Sequence, residues 1–399
     1  MRVRGGDKSL SRNDVRKKNI TKSNVINIIG RKKMTRSRFY FVIAAVFMAF
    51  VFTAPTADAA KTMKFKVQTA LTATSMYMDI LKSFGANLKA MSGGRLEAEF
   101  LPAGAIVKTN EIHDAVSSGV VEAGFTWPHF ASGKHPAAFL FADQPSVNGM
   151  DQFGFLSWYY EGEGYDLYRE LYDDHMKVNV IGFIVLASGG QPLGWFKKPI
   201  NSLADFQKIK YRAPPGLTGK IFHEMGIAAV SIPGGEIVPA AQKGVIDAAE
   251  WINPGEDIKL GLQHIWKNYY LQGFHQASDL GEIIVNKDFW KKLSPELQAI
   301  FKGAAQASVM QSLAAHIYRN AVALEKLKKD YGVTVRDTPT ELYPVFLRAA
   351  AKITNDAAKS NAFFAKVLAS QRKFADTIVP YWTKQLDLYY RLGSATLGK

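Results

Sequence analysis

The sequence predicts an α/β protein whose C-terminal third is helical. Three observations carry this reading. Strand-like alternation and helical spacing interleave as β-α-β-α-β over residues 63–127. Strand patterns recur over 178–187, 193–197 and 208–212, with helical patterns after them. From Pro295 onward the pattern is almost wholly helical. Such interleaving argues for largely parallel sheets, because a crossover helix returns the chain to the same end of the sheet.

Residues 63–70 alternate like a half-buried strand, and 75–91 carry Met76, Ile80, Phe84 and Leu88 at helical spacing before Gly93-Gly94 stops them. Residues 96–100 alternate again, 109–118 read as a helix ended by Gly119, and 120–127 as the next strand. Helices follow near 219–225, 235–243 and 257–266. Residues 295–331 form one long helical pattern, and 342–390 a second helical region in which Pro380 predicts a break. There is no internal repeat and no Pro/Ser-rich tether, so any two domains are joined by short crossings.

With 399 residues, 47% of them hydrophobic, and no Cys, the chain is neither a disordered segment nor a disulfide-stapled miniprotein. Its net charge of +15 invites a nucleic-acid reading, but residues 1–59 hold 13 Lys/Arg against Asp7, Asp14 and Asp58. The remaining +5, spread over residues 60–399, is no electrostatic footprint for nucleic acid. Within that leader, Arg31, Lys32, Lys33, Arg36 and Arg38 precede an apolar run over 39–54, and Ala57-Asp58-Ala59 supplies small residues for cleavage. The run is shorter than the roughly 18 apolar residues that argue for a spanning helix. It therefore reads as a removable secretory signal, with an uncleaved anchor as the alternative. Met34 would begin a leader of ordinary length, and no Arg-Arg pair precedes the run, so general secretion is expected.

Catalytic motifs are missing: there is no G-x-S-x-G elbow, HExxH, Walker loop or cysteine nucleophile. Gly162-Glu-Gly164 lacks the third glycine of a dinucleotide fingerprint. Among eight histidines, only His129 draws attention, because Trp127-Pro128-His129-Phe130 follows a predicted strand end, where α/β sheets bind ligands. An aromatic cap on a core fits those residues equally well. Tyr211-Arg212-Ala-Pro-Pro-Gly216 places a guanidinium at a strand end with a stiff turn behind it. A pre-organised guanidinium fork suits a carboxylate, although an ordinary exposed arginine is also compatible. Residues 231–251 read as a turn, a short helix, Gly244 as its cap, and a strand ending in Glu250-Trp251. A carboxylate at a buried strand end is costly unless paired or metal-bound.

These segments also carry a family resemblance. Leu101-Pro-Ala-Gly104, Ser118-Gly119-Val-Val-Glu-Ala-Gly124, Ile200-Asn-Ser-Leu-Ala-Asp-Phe206, Lys210-Tyr-Arg212 and Gly244-Val-Ile-Asp247 resemble, in order and spacing, the extracytoplasmic solute-binding subunits of TRAP transporters, the DctP type. The resemblance covers residues 61 to about 350. Ser188-Gly-Gly-Gln191, Ala249-Glu250-Trp251 and the extra C-terminal helices are similar to the α-keto-acid-binding branch, which takes 2-oxo or 2-hydroxy monocarboxylates with a metal ion. Phe125-Thr-Trp-Pro-His129 departs from that branch, which bears on the outer pocket wall.

The resemblance implies a two-lobed periplasmic binding protein that closes over a small organic acid and delivers it to membrane permease subunits. It implies a leader over 1–59, lobes formed by 60–187 with about 278–320 and by 188–277 with about 321–360, and a helical extension over 361–399. Arg212 would bind the carboxylate, while Gln191, Glu250 and the Trp251 carbonyl would hold sodium or calcium. Gln276 falls where the family has a pocket residue, and Trp127, His129, Phe130 and Trp251 become walls. Charge agrees: Arg212, Glu250 and a monocarboxylate leave one net negative charge, which Na⁺ cancels and Ca²⁺ reverses. An Arg212–Glu250 salt bridge without metal is the plainer alternative, and a secreted enzyme acting on a small carboxylic acid is the competing function. The resemblance also implies a homodimer through the apolar series Phe363, Phe364, Val367, Phe374, Ile378, Trp382 and Leu386, which could instead pack on the chain's own lobes.

Intact mass of the exported protein is expected to begin at Ala60 or Lys61. Full-length chain in the membrane fraction would contradict leader removal.

Overall fold

A computed structural model of the chain describes residues 62–142, 148–214 and 216–398. The apolar run and the Ala57-Asp58-Ala59 site lie outside the described residues. Two sheets organise the rest. The first contains β1 (Met63–Thr69), β2 (Leu96–Leu101), β3 (Ala123–Thr126), β4 (Val180–Ala187) and β10 (Leu280–Asn286), in the order β2-β1-β3-β10-β4. The second contains β5 (Gly194–Phe196), β6 (Lys210–Arg212), β7 (Ala228–Val230), β8 (Ala248–Ala249), β9 (Asn268–Tyr270) and β11 (Thr334–Arg336), in the order β11-β9-β5-β8-β6-β7.

The expectation of largely parallel sheets needs correction, because both sheets are mixed. In the first, β10 runs antiparallel to β3 and β4; in the second, β5 runs antiparallel to β8 and β9. The chain crosses between sheets from β4 to β5, back from β9 to β10, and again through the helix Pro295–Tyr331 to β11; the first two crossings each insert a strand against the local direction. Smaller corrections concern boundaries. The 109–118 segment is a 3₁₀ turn followed by the helix Ile112–Ser117. The helix expected over 257–266 runs from Pro254 to Leu260 and stops at Gly261, whose φ of 95° ends it. Pro380 breaks nothing: it lies inside the helix Ala362–Thr396, and the interruption falls at extended Asn361 (φ −146°, ψ 114°). Gly162 and Gly164 belong to a helix–helix junction, not to a nucleotide loop.

Most strands of both sheets are covered by residues that leave water together. Phe65, Val67, Phe84, Phe125 and Phe301 pack on one face of the first sheet, where the helix Met76–Met91 and the long helix Pro295–Tyr331 lie. Phe196, Phe206, Tyr211 and Phe222 pack with Phe346 on the second. Inside the first sheet, Glu282 is fully buried and accepts from the Tyr168 and Tyr172 hydroxyls, which satisfies a charge that would otherwise be prohibitive there.

The C-terminal helix lays most of the apolar series named above on the chain's own lobe: Phe374 and Ile378 are partly buried against its core, and Trp382 Nε1 donates to Asp151 Oδ2 at 3.1 Å. Phe363, Phe364 and Val367 are buried beside Trp158 in the chain's own core. The exposed apolar residues of this helix, Tyr381, Leu388, Tyr389, Tyr390 and Leu392, lie outside that series. Among the described residues, no helix is long and apolar enough to cross a membrane.

Candidate functional site

The parallel strands β6, β7 and β8 end at one edge of the second sheet, with Arg212 level with Val230 and Ala249. Strand ends of this kind leave side chains and backbone groups pointing into a crevice. Glu250 follows β8 directly, its amide donating to the Arg212 carbonyl at 3.3 Å. Arg212 Nε donates to the Ile232 carbonyl at 3.0 Å, and Nη1 donates both to the Glu250 carbonyl at 3.3 Å and to Glu250 Oε1. The guanidinium lies 5.4 Å from the Trp251 ring centroid, a cation–π contact. Arg212 and Glu250 are only 6% and 1% exposed, so the ordinary surface arginine is excluded.

The first two crossings between sheets meet this edge. Gln191 sits on the β4–β5 crossing and Gln276 and Asp279 on the β9–β10 crossing, and the Gln191 amide donates to the Gln276 carbonyl at 2.9 Å. Gly189 on the first crossing has φ of 71°, and a Cβ there would fall 2.4 Å from His316 on the long helix, so only glycine fits. The Gln191 side chain reaches inward. In one orientation its Nε2 donates to Asp279 Oδ2 at 3.3 Å, and Oε1 faces Gln276 Oε1, the Trp251 carbonyl and Glu250 Oε2. In the other, its nitrogen donates to those three oxygens at 2.8, 2.8 and 3.1 Å.

All the residues singled out from sequence, namely Arg212, Gln191, Glu250, Trp251, Gln276, Trp127, His129 and Phe130, line one cavity of about 410 Å3. Trp127, His129 and Phe130 close it from the end of β3, as an edge-to-face aromatic group. Among the described residues, no group of three or more His, Cys, Asp or Glu side chains could hold a metal. The donor set here is different, being two side-chain amides, one carbonyl and one carboxylate. Four oxygens at such separations suit the hard, oxygen-preferring cations. The residues therefore fit sodium or calcium.

Sequence reasoning missed three acidic residues. Asp279 contacts Gln191 and stands 3.9 Å from His129 Nδ1. Glu256 lines the cavity and accepts the first backbone donor of the helix Met76–Met91, Met76 N, at 2.5 Å, and burial raises its pKa. Asp257 is fully buried and accepts from Ile252 N and Asn253 N at 3.1 Å each, from Trp195 Nε1 at 2.9 Å and from the Tyr269 hydroxyl at 3.0 Å. It thereby pins the loop after Trp251. Burial pushes its carboxyl up to about 7 against those four hydrogen bonds. The only sequence signal was Asn253-Pro-Gly-Glu-Asp257, a helix start, which gives no hint of burial.

The fold and the cleft define a two-lobed solute-binding protein. The chain belongs to the DctP family of bacterial extracellular solute-binding proteins (family 7), whose sequence profile matches residues 67–360. It is similar to a monocarboxylate 2-oxoacid-binding periplasmic protein from Nostoc, 32% identical over 301 residues, covering 75% of this chain and 80% of that one. Its fold is similar to a TRAP transporter solute-binding protein from Bordetella bronchiseptica with copurified calcium and picolinate (TM-score 0.78, 28% identity, 84% of this chain and 99% of that one). It is also similar to one from Pseudoalteromonas atlantica with bound sodium and pyruvate (TM-score 0.75, 26% identity, 83% and 98%). The family is one of transport receptors, so the enzyme alternative falls.

The elevated Asp257 pKa sets a pH dependence. Because the folded carboxyl holds its proton above the unfolded value of about 3.9, this group's contribution to stability falls as pH rises from about 4 to about 7. His275 and His316, lowered by burial to about 3 and about 4, act in the opposite sense below about 6.5. The decisive quantity is therefore a difference between proteins. Unfolding free energy of the parent minus that of Asp257→Asn is expected to decline by up to about 1.4 kcal/mol per pH unit across that window. A difference that is flat with pH would contradict it.

Proposed function

We propose that this chain is the periplasmic receptor of a TRAP transporter, captures a 2-oxo or 2-hydroxy monocarboxylate together with sodium or calcium, and hands it to the membrane permease subunits. The observation that carries this reading is the gathering of Gln191, Gln276, Glu250 and Trp251 oxygens beside Arg212 in one buried cleft. Glu250 would serve both partners, Oε1 holding the arginine and Oε2 the cation. Arg212 spends Nε and Nη1 on the protein, which leaves Nη2 as its end for the ligand carboxylate. Gln191, Glu250 and the Trp251 carbonyl would hold the ion, with Gln276 beside them, and the ion would neutralise Glu250 and fix the acid's 2-oxo oxygen. Calcium wants 6–8 oxygens, so the acid and water would complete its shell. Trp127, His129, Phe130 and Trp251 would exclude bulk water. The 2-oxoacid named for the Nostoc relative, and the calcium or sodium held with picolinate or pyruvate in the two similar structures, support the same ligand class.

Export through a cleaved leader agrees with the family's extracellular setting. The lobe division proposed is 60–187 with about 278–320 against 188–277 with about 321–360, followed by the extension over 361–399. The two sheets draw their strands from those halves, which supports it. A homodimer would use the distal half of the last helix, because its proximal half is occupied by the chain's own core. Truncation after Thr383 is expected to give a folded monomer from a dimeric parent. A parent that sediments as a monomer contradicts the dimer.

Binding of acid and cation is expected to be coupled, each tightening the other by the same factor. Arg212→Lys keeps the charge and loses the planar fork, so acid binding should weaken by about 1.5–3 kcal/mol. Glu250→Gln should make acid affinity less dependent on added cation. Calorimetric titration of pyruvate into chelated protein, with and without Na⁺ or Ca²⁺, checks this: identical affinities in all conditions would leave an arginine-anchored site without a metal.

A further inference from the structure

The Gln191 side chain can present either end to the oxygens of Gln276, Trp251 and Glu250. Turned with its nitrogen inward, it donates to all three and fills the place where a cation would gain its ligands. Turned with its oxygen inward, it adds a fourth oxygen to the group, and Nε2 then needs an acceptor behind it. Asp279 supplies one: its Oδ2 lies 3.3 Å from Nε2, and its side chain is only 4% exposed. In the empty cleft the nitrogen-inward arrangement is favoured, with three hydrogen bonds against the single 3.3 Å contact to Asp279; an ion drawn to the surrounding oxygens reverses that balance, and Asp279 then accepts from the turned nitrogen. The backbone rigidly supports this placement, because the Asp279 carbonyl accepts Ser188 N at 3.0 Å on the same crossing that carries Gln191. His129 reaches the other oxygen of Asp279 from the opposite wall, at 3.9 Å.

We propose that Asp279 is a positioning residue that accepts from Gln191 Nε2 when the side chain turns its oxygen to an arriving ion, and so lowers the cost of reaching the cation-ready orientation. This rests on the cation-assisted site proposed above. In the empty cleft the amide nitrogen turns inward, and each binding event reverses it; without Asp279 the reversed nitrogen would lose its buried acceptor and the competent orientation would be rarer. The apparent cation affinity would then drop by the fraction of molecules in the competent orientation. Outer partners of metal ligands commonly contribute 10–100-fold to metal affinity in this way.

The test is a double-mutant cycle on calcium affinity of the chelated mature chain, measured by calorimetry at saturating pyruvate. Asp279→Asn can donate to the amide oxygen and so holds the wrong orientation; calcium affinity is expected to fall at least tenfold. In a Gln191→Glu background, residue 191 offers oxygen on both sides and no orientation is needed. There Asp279→Asn is expected to leave calcium affinity unchanged or to raise it, since it also removes a carboxylate neighbour. An equal loss in both backgrounds would assign Asp279 a charge or folding role and overturn the proposal, as would no loss in the parent background. A parent that ignores calcium altogether would remove the underlying site and this inference with it. Neutron diffraction of the unaltered protein, with and without calcium, gives a reading that needs no variant to fold. Deuterons of Gln191 Nε2 are expected to point at Trp251 and Gln276 without calcium and at Asp279 with it; deuterons that do not point at Asp279 in the calcium-bound protein would overturn the proposal.

Discussion

The buried Arg212–Glu250 pair is the constraint on which the cleft depends. Taking the two ions out of water costs several kcal/mol each after relaxation, and removing either partner from such a pair costs about 3–5 kcal/mol. The fold meets that cost by placing the two residues at the ends of adjacent parallel strands and giving the guanidinium the Ile232 and Glu250 carbonyls and the Trp251 face. Two backbone carbonyls thus hold the guanidinium beside the Glu250 carboxylate. The carboxylate oxygen not used by arginine stays aimed at Gln191, which would make a structural ion pair part of the binding site proposed above.

That aim matters because the remaining donors come from elsewhere in the chain. Gln191 and Gln276 lie on the first two crossings between sheets, hydrogen-bonded to each other through the backbone, so the cation ligands proposed would sit on the segments that join the two halves. Asn253 Nδ2 donates to the Tyr77 hydroxyl at 2.6 Å and Glu256 accepts Met76 N, tying the loop after β8 to the first helix. Ligand and cation would thus add their contacts at the place where the two halves already touch. A binding event there can bias closure through differential contacts without any remote relay.

Much of this was legible in the sequence, and the reasons differ by residue. Arg212 and Glu250 stood out because charge at a predicted strand end is expensive and must have a purpose. The long helix Pro295–Tyr331 was readable to the residue from its Ser-Pro start and left-handed Gly332 end. The short strands β7, β9 and β11 were not, since three residues give no period to detect. Pro380 misled because a proline removes one hydrogen bond, yet the exposed side of a packed helix can bear that loss. Asp257 and Asp279 were invisible for another reason: each takes its role from partners on other elements, and nothing in the local sequence marks a carboxylate as buried. The resemblance placed Gln191 and Gln276 in one pocket, whereas the geometry adds that their oxygens crowd together.

The central claim is that acid and cation occupy this cleft as a unit. Native mass spectrometry of the freshly purified, undialysed protein tests it most directly, because a closed cleft retains what it captured. The account predicts a single adduct whose mass equals one small carboxylic acid plus one sodium or calcium ion, lost together on chelation and washing. An acid adduct that carries no metal and survives chelation would contradict it.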